Sequence, residues 1–289
     1  TYYVYKNYFI HFLIFLAEKY DNIGLYSEEF LDNAVDILED YISFCQDTLF
    51  NNKKIINTKL SAISSFYIWS MKRKLILAHP FDKKLDRMKG ANEEKIINSY
   101  FLNDEQIQMI RQGLLSDKFD MQDRLIWELM LDSCNRVGAI SKLTISSLDI
   151  ENMLFKDIRE KRGYKVEVVF SEQSKFLIEE WLETRKEMDN LSVDSLFITK
   201  YKKVWRPMSK STIQDRIQKM GTIIGIDDWH SHCIRKTSLN MIYEKTSNLD
   251  LAASMGNHKS VETTRNSYIK PKSKTELREK IKELMNKKD

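Results

Sequence analysis

Six side chains spread along this sequence have the chemistry to act on a phosphodiester: Arg136, Lys161, His232, Arg235, His258 and Tyr268. In His232-Cys233-Ile234-Arg235 a histidine and an arginine stand three apart, hence on one face of a helix. Guanidiniums stay protonated throughout and offer paired donors to non-bridging phosphate oxygens. A phenol, with an ordinary pKa of ~10, attacks only with a base or a strong positive field beside it. Each residue also has a plainer reading. His230, His232 and Cys233 suggest a metal site, but no second Cys/His cluster accompanies them. Tyr268 is one of 13 tyrosines, and only its place after His258 sets it apart from a core residue. Lys161 competes with Lys156, Arg159, Arg162 and Lys165 for its role.

The elements that must position these groups are mostly helical. Only three prolines and eight glycines occur in 289 residues, so long helices with few tight turns are expected. Tyr2 to Tyr20 is apolar at helical spacing. Ser27 is placed to cap a helix over Glu28 to Thr48, and Lys53 to Ile76 forms a third with Lys72, Arg73 and Lys74 at its end. His79-Pro80 stops the pattern. The expected organisation is a helical domain over 1–81, a polar linker over 82–101 and a second domain over 102–289. In the second domain Asn103 and Gln106 form a capping-box pair, Gln122 to Asp132 is an apolar-faced helix, and Leu154 to Phe170 reads as a β-hairpin around Arg162-Gly163-Tyr164. Helices are expected over Glu172 to Met188, from Ser209 or Ser211 to Ile224, and over Trp229 to Tyr243, Leu249 to Met255 and Thr275 to Met285. The fold class is therefore mainly α with a small β-hairpin or sheet insert.

The formal net charge of +4 says little, but its distribution says more. Lys72 to Lys89 holds seven basic residues against Asp82 and Asp86, and Lys200 to Lys219 holds seven against Asp215. Local excess of this kind suits contacts to a phosphate backbone, with Lys72, Arg73, Lys74, Lys202, Lys203, Arg206 and Lys210 as the candidates; a solvated face is the plainer reading. Three distant cysteines argue against a disulfide framework and fit a reducing compartment. No apolar run approaches the ~20 residues of a membrane span. The sequence begins at Thr1, so a signal peptide cannot be judged. A cytoplasmic, nucleoid-associated bacterial protein is expected.

The chemistry-bearing stretches, taken in order, resemble the signature of the tyrosine recombinase (phage integrase) family: Asn135-Arg136-Val137-Gly138 as a first arginine box, a strand region carrying Lys161, then His232-Cys233-Ile234-Arg235, Gly256-Asn257-His258, Thr263-Thr264 and Tyr268. The resemblance runs from roughly Leu102 to Pro271, and the helical N-terminal half resembles the family's core-binding domain. It implies a two-domain architecture, double-stranded DNA as partner, and cutting and rejoining of DNA through a 3′-phosphotyrosyl link in integration of a phage or mobile element. No metal or nucleotide cofactor is then required. Arg136 and Arg235 would neutralise the phosphate, Tyr268 attack it, His232 act as base, His258 donate a hydrogen bond and Lys161 protonate the leaving 5′ oxygen. The family's helix after the tyrosine docks on a neighbouring protomer; Thr275 to Met285, with Leu277, Ile281, Leu284 and Met285 apolar, is the counterpart here.

Three positions depart from the pattern. Ala139 replaces the acidic residue that helps hold the first arginine, Lys236 follows the second arginine where histidine is frequent, and Asn257 splits the Gly-His pair. Arg136 is therefore expected to lack a carboxylate and to cleave weakly. Two functions stand side by side: a working recombinase, and a recombinase-derived DNA-binding repressor of phage lysogeny with little or no strand exchange.

Overall fold

The computed structural model describes residues 2–89, 100–160, 163–189 and 191–270, together with Arg278, Glu279, Lys282 and Met285. The chain divides into two compact units, Thr1–Asn98 and Ser99–Asp289.

The first unit is helical: α1 (Tyr2–Lys19), α2 (Glu28–Asp32), α3 (Ala34–Asp47) and α4 (Lys53–Lys72). Its core is strongly aromatic, with Phe12, Phe15, Phe30, Tyr41 and Tyr67 buried together. Ser27 caps α2 by accepting from the Phe30 N–H, as its position suggests, but the single helix expected from Glu28 breaks at Asn33. The Asn33 amide donates to the Glu29 carbonyl at 2.8 Å, and such local side-chain bonds compete with the helical ladder. Packing continues past His79-Pro80. Phe81 is buried, Leu85 and Met88 pack on the same core, and Asn57 holds Met88 through both its side-chain atoms.

The second unit is built around α6 (Met121–Ser133), whose Leu125, Ile126, Trp127, Leu129 and Met130 are fully buried. Ahead of it, α5 (Asp104–Gly113) starts with the capping box formed by Asn103 and Gln106. After it come the short α7 (Val137–Ile140) and an antiparallel sheet of β1 (Leu148–Asp149), β2 (Leu154–Arg159) and β3 (Lys165–Val169). The hairpin Leu154 to Phe170 is thus formed. Val166 and Val168 alternate onto the core face of β3, and Phe155 and Ile158 of β2 meet them there across an irregularity between the two. Then follow α8 (Glu172–Lys186), the hairpin β4 (Ile198–Tyr201) and β5 (Val204–Pro207), α9 (Lys210–Met220), α10 (Ser231–Thr246), α11 (Leu249–Met255) and α12 (Val261–Tyr268). The helix expected over Thr275 to Met285 falls largely outside the described residues. Among the described residues no helix is long and apolar enough to cross a membrane.

Candidate functional site

The site lies where the end of α6, the start of α10, the α11–α12 connection and the β2–β3 hairpin meet. Three backbone features bring these segments together. Helix α6 ends on Cys134 with φ +53, a left-handed cap that turns the chain so that Asn135 and Arg136 follow at once. The residue that splits the Gly-His pair, Asn257, also sits in the left-handed region (φ +50), and its amide donates to the Asn135 side chain at 3.2 Å. The extra residue is absorbed by a turn that ties the His258 segment to the Arg136 segment. At Gly256 a Cβ would stand 2.9 Å from His258 Cε1, so the imidazole occupies space that only glycine leaves open.

Arg235 is the buried centre, with 1% of its surface exposed. Its Nη1 donates to the Cys134 carbonyl, and its Nη2 donates to the Gly256 carbonyl and to His258 Nε2, the last at 2.8 Å. Its Nε has no partner among the described residues. The guanidinium also lies 5.3 Å from the centroid of the Tyr268 ring, and the Tyr268 hydroxyl stabilises its charge. Burial pulls the Arg235 pKa below the usual arginine value, against that stabilisation. Because Nε2 of His258 accepts from Arg235, its proton belongs on Nδ1, which donates to Thr264 Oγ1 at 2.7 Å. Burial pulls His258 down to about 4, and the charges of Arg235 and Arg136 add to the effect. The imidazole is therefore neutral near pH 7. Tyr268 packs its ring 4.6 Å from His258 and into a small apolar group with Cys134 and Leu239, leaving 8% exposed.

Arg136 is close enough for its charge to act on both Arg235 and His258, yet its side chain is 41% exposed. The expectation that it lacks a carboxylate is overturned: Nη1 lies 3.0 Å from Glu160 Oε2. Ala139 itself is fully buried, so no side chain of glutamate size fits there without overpacking. The hairpin touches the site a second time through Tyr164, whose hydroxyl accepts from Lys259 Nζ at 2.7 Å. Lys161 and Arg162, between these two anchors, lie outside the described residues.

The structure thus brings Arg136, Arg235, His258 and Tyr268 together. His232 is exposed on the first turn of α10, its ring 6.4 Å from that of His230. His230 pairs with the Asp228 carbonyl oxygen at 2.9 Å and Cys233 Sγ at 3.3 Å. Among the described residues no group of three His, Cys, Asp or Glu side chains is placed to hold a metal ion. Sequence reasoning missed Glu160 and the buried Thr264 as site residues. Thr264 was findable: it precedes Tyr268 by four on one helix, so the two share a face.

The basic candidates are all exposed. Lys72 ends α4, Arg73 lies 5.8 Å from the Trp69 ring, and Lys74 has φ +59. Lys202 and Lys203 form the two-residue turn between β4 and β5, with φ +45 and +65. Arg206 lies 5.3 Å from the Tyr201 ring, and Lys210 begins α9.

A sequence profile of the phage integrase family matches residues 100–275. Tyrosine recombinase XerA of Saccharolobus solfataricus is 25% identical over 183 residues, 60% of this chain and 56% of that protein, so the match spans little more than half its length. Tyrosine recombinase XerC of Lactobacillus delbrueckii subsp. bulgaricus is 24% identical over 216 residues, 72% of this chain and 70% of that protein. The fold is shared with XerH recombinase in a post-cleavage complex with palindromic difH substrate (TM-score 0.67, 18% identity, 86% and 69% of the two chains). It is also shared with Tn1549 integrase in complex with transposon right end DNA (TM-score 0.64, 14% identity, 87% and 85%).

Proposed function

The chain belongs to the phage integrase family of tyrosine recombinases, and from that premise we propose that it binds double-stranded DNA and cuts and rejoins it through Tyr268, in integration or excision of a phage or mobile element in the bacterial cytoplasm. One observation carries this reading: Arg235, His258 and Tyr268 converge within hydrogen-bonding and ring-contact distance, with the charge of Arg136 felt at the same point. The Tyr268 oxygen attacks the phosphorus, giving its proton to His232. The bond from phosphorus to the 5′ oxygen breaks, Lys161 protonates that oxygen, and the tyrosine keeps the 3′ phosphate. Arg136 and Arg235 stabilise the charge that develops on the non-bridging oxygens. Phosphate-backbone binding falls to Lys72, Arg73 and Lys74 in the helical unit and to Lys202, Lys203, Arg206 and Lys210 in the other. The segment from Pro271 onward is the proposed contact between copies on DNA; its deletion is expected to lower cooperativity of binding and to leave the fold intact.

A specific feature favours a second reading, a recombinase-derived DNA-binding repressor. Arg235 and Tyr268 are 1% and 8% exposed, and Arg235 is bound by protein carbonyls in place of a phosphate. Strand cleavage requires that this network open on DNA. The deciding experiment incubates the protein with cognate duplex nicked beside the cleavage point and looks for a denaturant-stable adduct. An adduct lost in Tyr268→Phe, with affinity unchanged, supports the recombinase; no adduct despite tight binding supports the repressor.

A further inference from the structure

Arg136 is the exposed arginine of the pair, and its position depends on what grips it. Glu160 does so with a side chain only 14% exposed, from the position just past β2, where an unbroken strand would have pointed it away. Between the pairs Phe155↔Val168 and Ile158↔Val166, β2 carries one residue more than β3, and Asp157 takes up the difference at φ +58. In an unbroken strand residues 155, 157 and 159 share a face. The bulge shifts the phase, so that Phe155 and Ile158 are both buried and Arg159 is exposed. Glu160, two residues after Ile158, falls on the inner side, towards Arg136. Its backbone is fixed as well: the Glu160 N–H donates to the Tyr164 carbonyl at 2.7 Å, and Tyr164 is held by Lys259.

We infer that Glu160 is a positioning residue for strand cleavage: its carboxylate holds the Arg136 guanidinium in the orientation that meets the scissile phosphate, a task the buried Ala139 cannot perform. The inference rests on the recombinase reading above. The ion pair engages one of the five N–H donors of the guanidinium, leaving the others for phosphate oxygens. In the sequence Glu160 immediately precedes Lys161, the lysine proposed to protonate the leaving oxygen. Displacement of a phosphate-binding group by ~1 Å costs on the order of a hundredfold in rate.

The test compares wild type, Glu160→Gln and Glu160→Asp in the full chain. The Gln variant is expected to form the covalent adduct ~10–100-fold more slowly on a nicked cognate duplex. Its DNA affinity stays within about twofold and its Tm within ~2 °C, because an ion pair whose arginine is 41% exposed contributes little to stability. The Asp variant recovers part of the rate. A Gln variant that cleaves at the wild-type rate or faster overturns the inference, since the carboxylate would then be idle or a competitor of the phosphate. A loss of rate matched by losses of affinity and Tm overturns it too, in favour of a purely structural role. If the wild type itself gives no adduct, the recombinase reading has failed, and nitrogen-15 relaxation of the Arg136 Nε group in the DNA-free protein judges Glu160 alone. Lower order in the Gln variant supports the grip; equal order refutes it.

Discussion

Arg235 donates a hydrogen bond from Nη2 to Nε2 of His258, and this one interaction fixes the imidazole as an acceptor towards the site. An arginine has no acceptor to offer, so a neutral His258 must carry its proton on Nδ1. That proton goes to Thr264 Oγ1. In this arrangement His258 orients Arg235 and does not donate to a phosphate, the role that the family resemblance suggests for it.

The tautomer is directly measurable. Nitrogen-15 chemical shifts should show His258 protonated at Nδ1 and bare at Nε2 near pH 7. Thr264→Val keeps the shape but leaves the Nδ1–H without its partner in a buried position, which should lower unfolding free energy by about 1–3 kcal/mol. A protonated Nε2, or a Val variant as stable as wild type, would remove Thr264 from the network.

The depressed pKa of His258 carries a signed pH dependence. Above its unfolded value of ~6.5 the imidazole is neutral in both states. As pH falls from ~6.5 towards the native value of about 4, the unfolded chain takes up a proton that the folded chain refuses, so stability is lost across that window and no further below it. His258→Gln deletes the titration. Urea midpoints of wild type and variant should differ by a constant above pH 6.5, with wild type losing ground on the way down to pH 4; parallel profiles across that window would contradict the burial of the imidazole.

The Lys202-Lys203 turn sets stability against binding. Both residues hold positive φ, where side chains with a Cβ are strained by roughly 1–3 kcal/mol each and Asn-Gly is favoured in a two-residue hairpin. Replacing the pair with Asn-Gly should therefore raise Tm by a few degrees. The same change removes two cations from the proposed DNA surface. It should flatten the log–log salt dependence of binding by roughly 0.9 for each phosphate no longer neutralised. An unchanged slope would mean that the hairpin points away from DNA, and a lowered Tm would mean that the lysines are not strained there.

Much of the fold was legible from local signals. The Asn103–Gln106 capping box, the hairpin around Gly163 and the helix carrying Arg235 follow from cap chemistry and periodicity, which are properties of short windows. The break at Asn33 was missed because a side-chain bond to Glu29 outweighed a continuous apolar face. For the site, residue types and order identified Arg136, Arg235, His258 and Tyr268, and the structure gathers them. The carboxylate on Arg136 was sought at Ala139, three positions on, because that is where the family resemblance places an acidic residue. It comes from 24 residues downstream, through a one-residue strand bulge whose effect on side-chain direction has no sequence signature of its own. The burial of Arg235 was equally hidden, since two of its acceptors are carbonyls that every residue type supplies.

Those two carbonyls, of Cys134 and Gly256, also decide how the centre can move. No side-chain substitution at 134 or 256 deletes an acceptor that belongs to the main chain. Arg235, 1% exposed, is gripped by the α6 cap and by the Gly256–Asn257 turn at once, so a shift of the two together would open the centre without breaking the side chain's packing first. Collective displacements of this kind run on microsecond-to-millisecond times, against picoseconds to nanoseconds for an exposed side chain. If the chain binds and cleaves DNA as proposed, the first slow event would be such a change of loop geometry ahead of any bond making, with the Nε of Arg235, which has no partner among the described residues, as the donor to gain an acceptor.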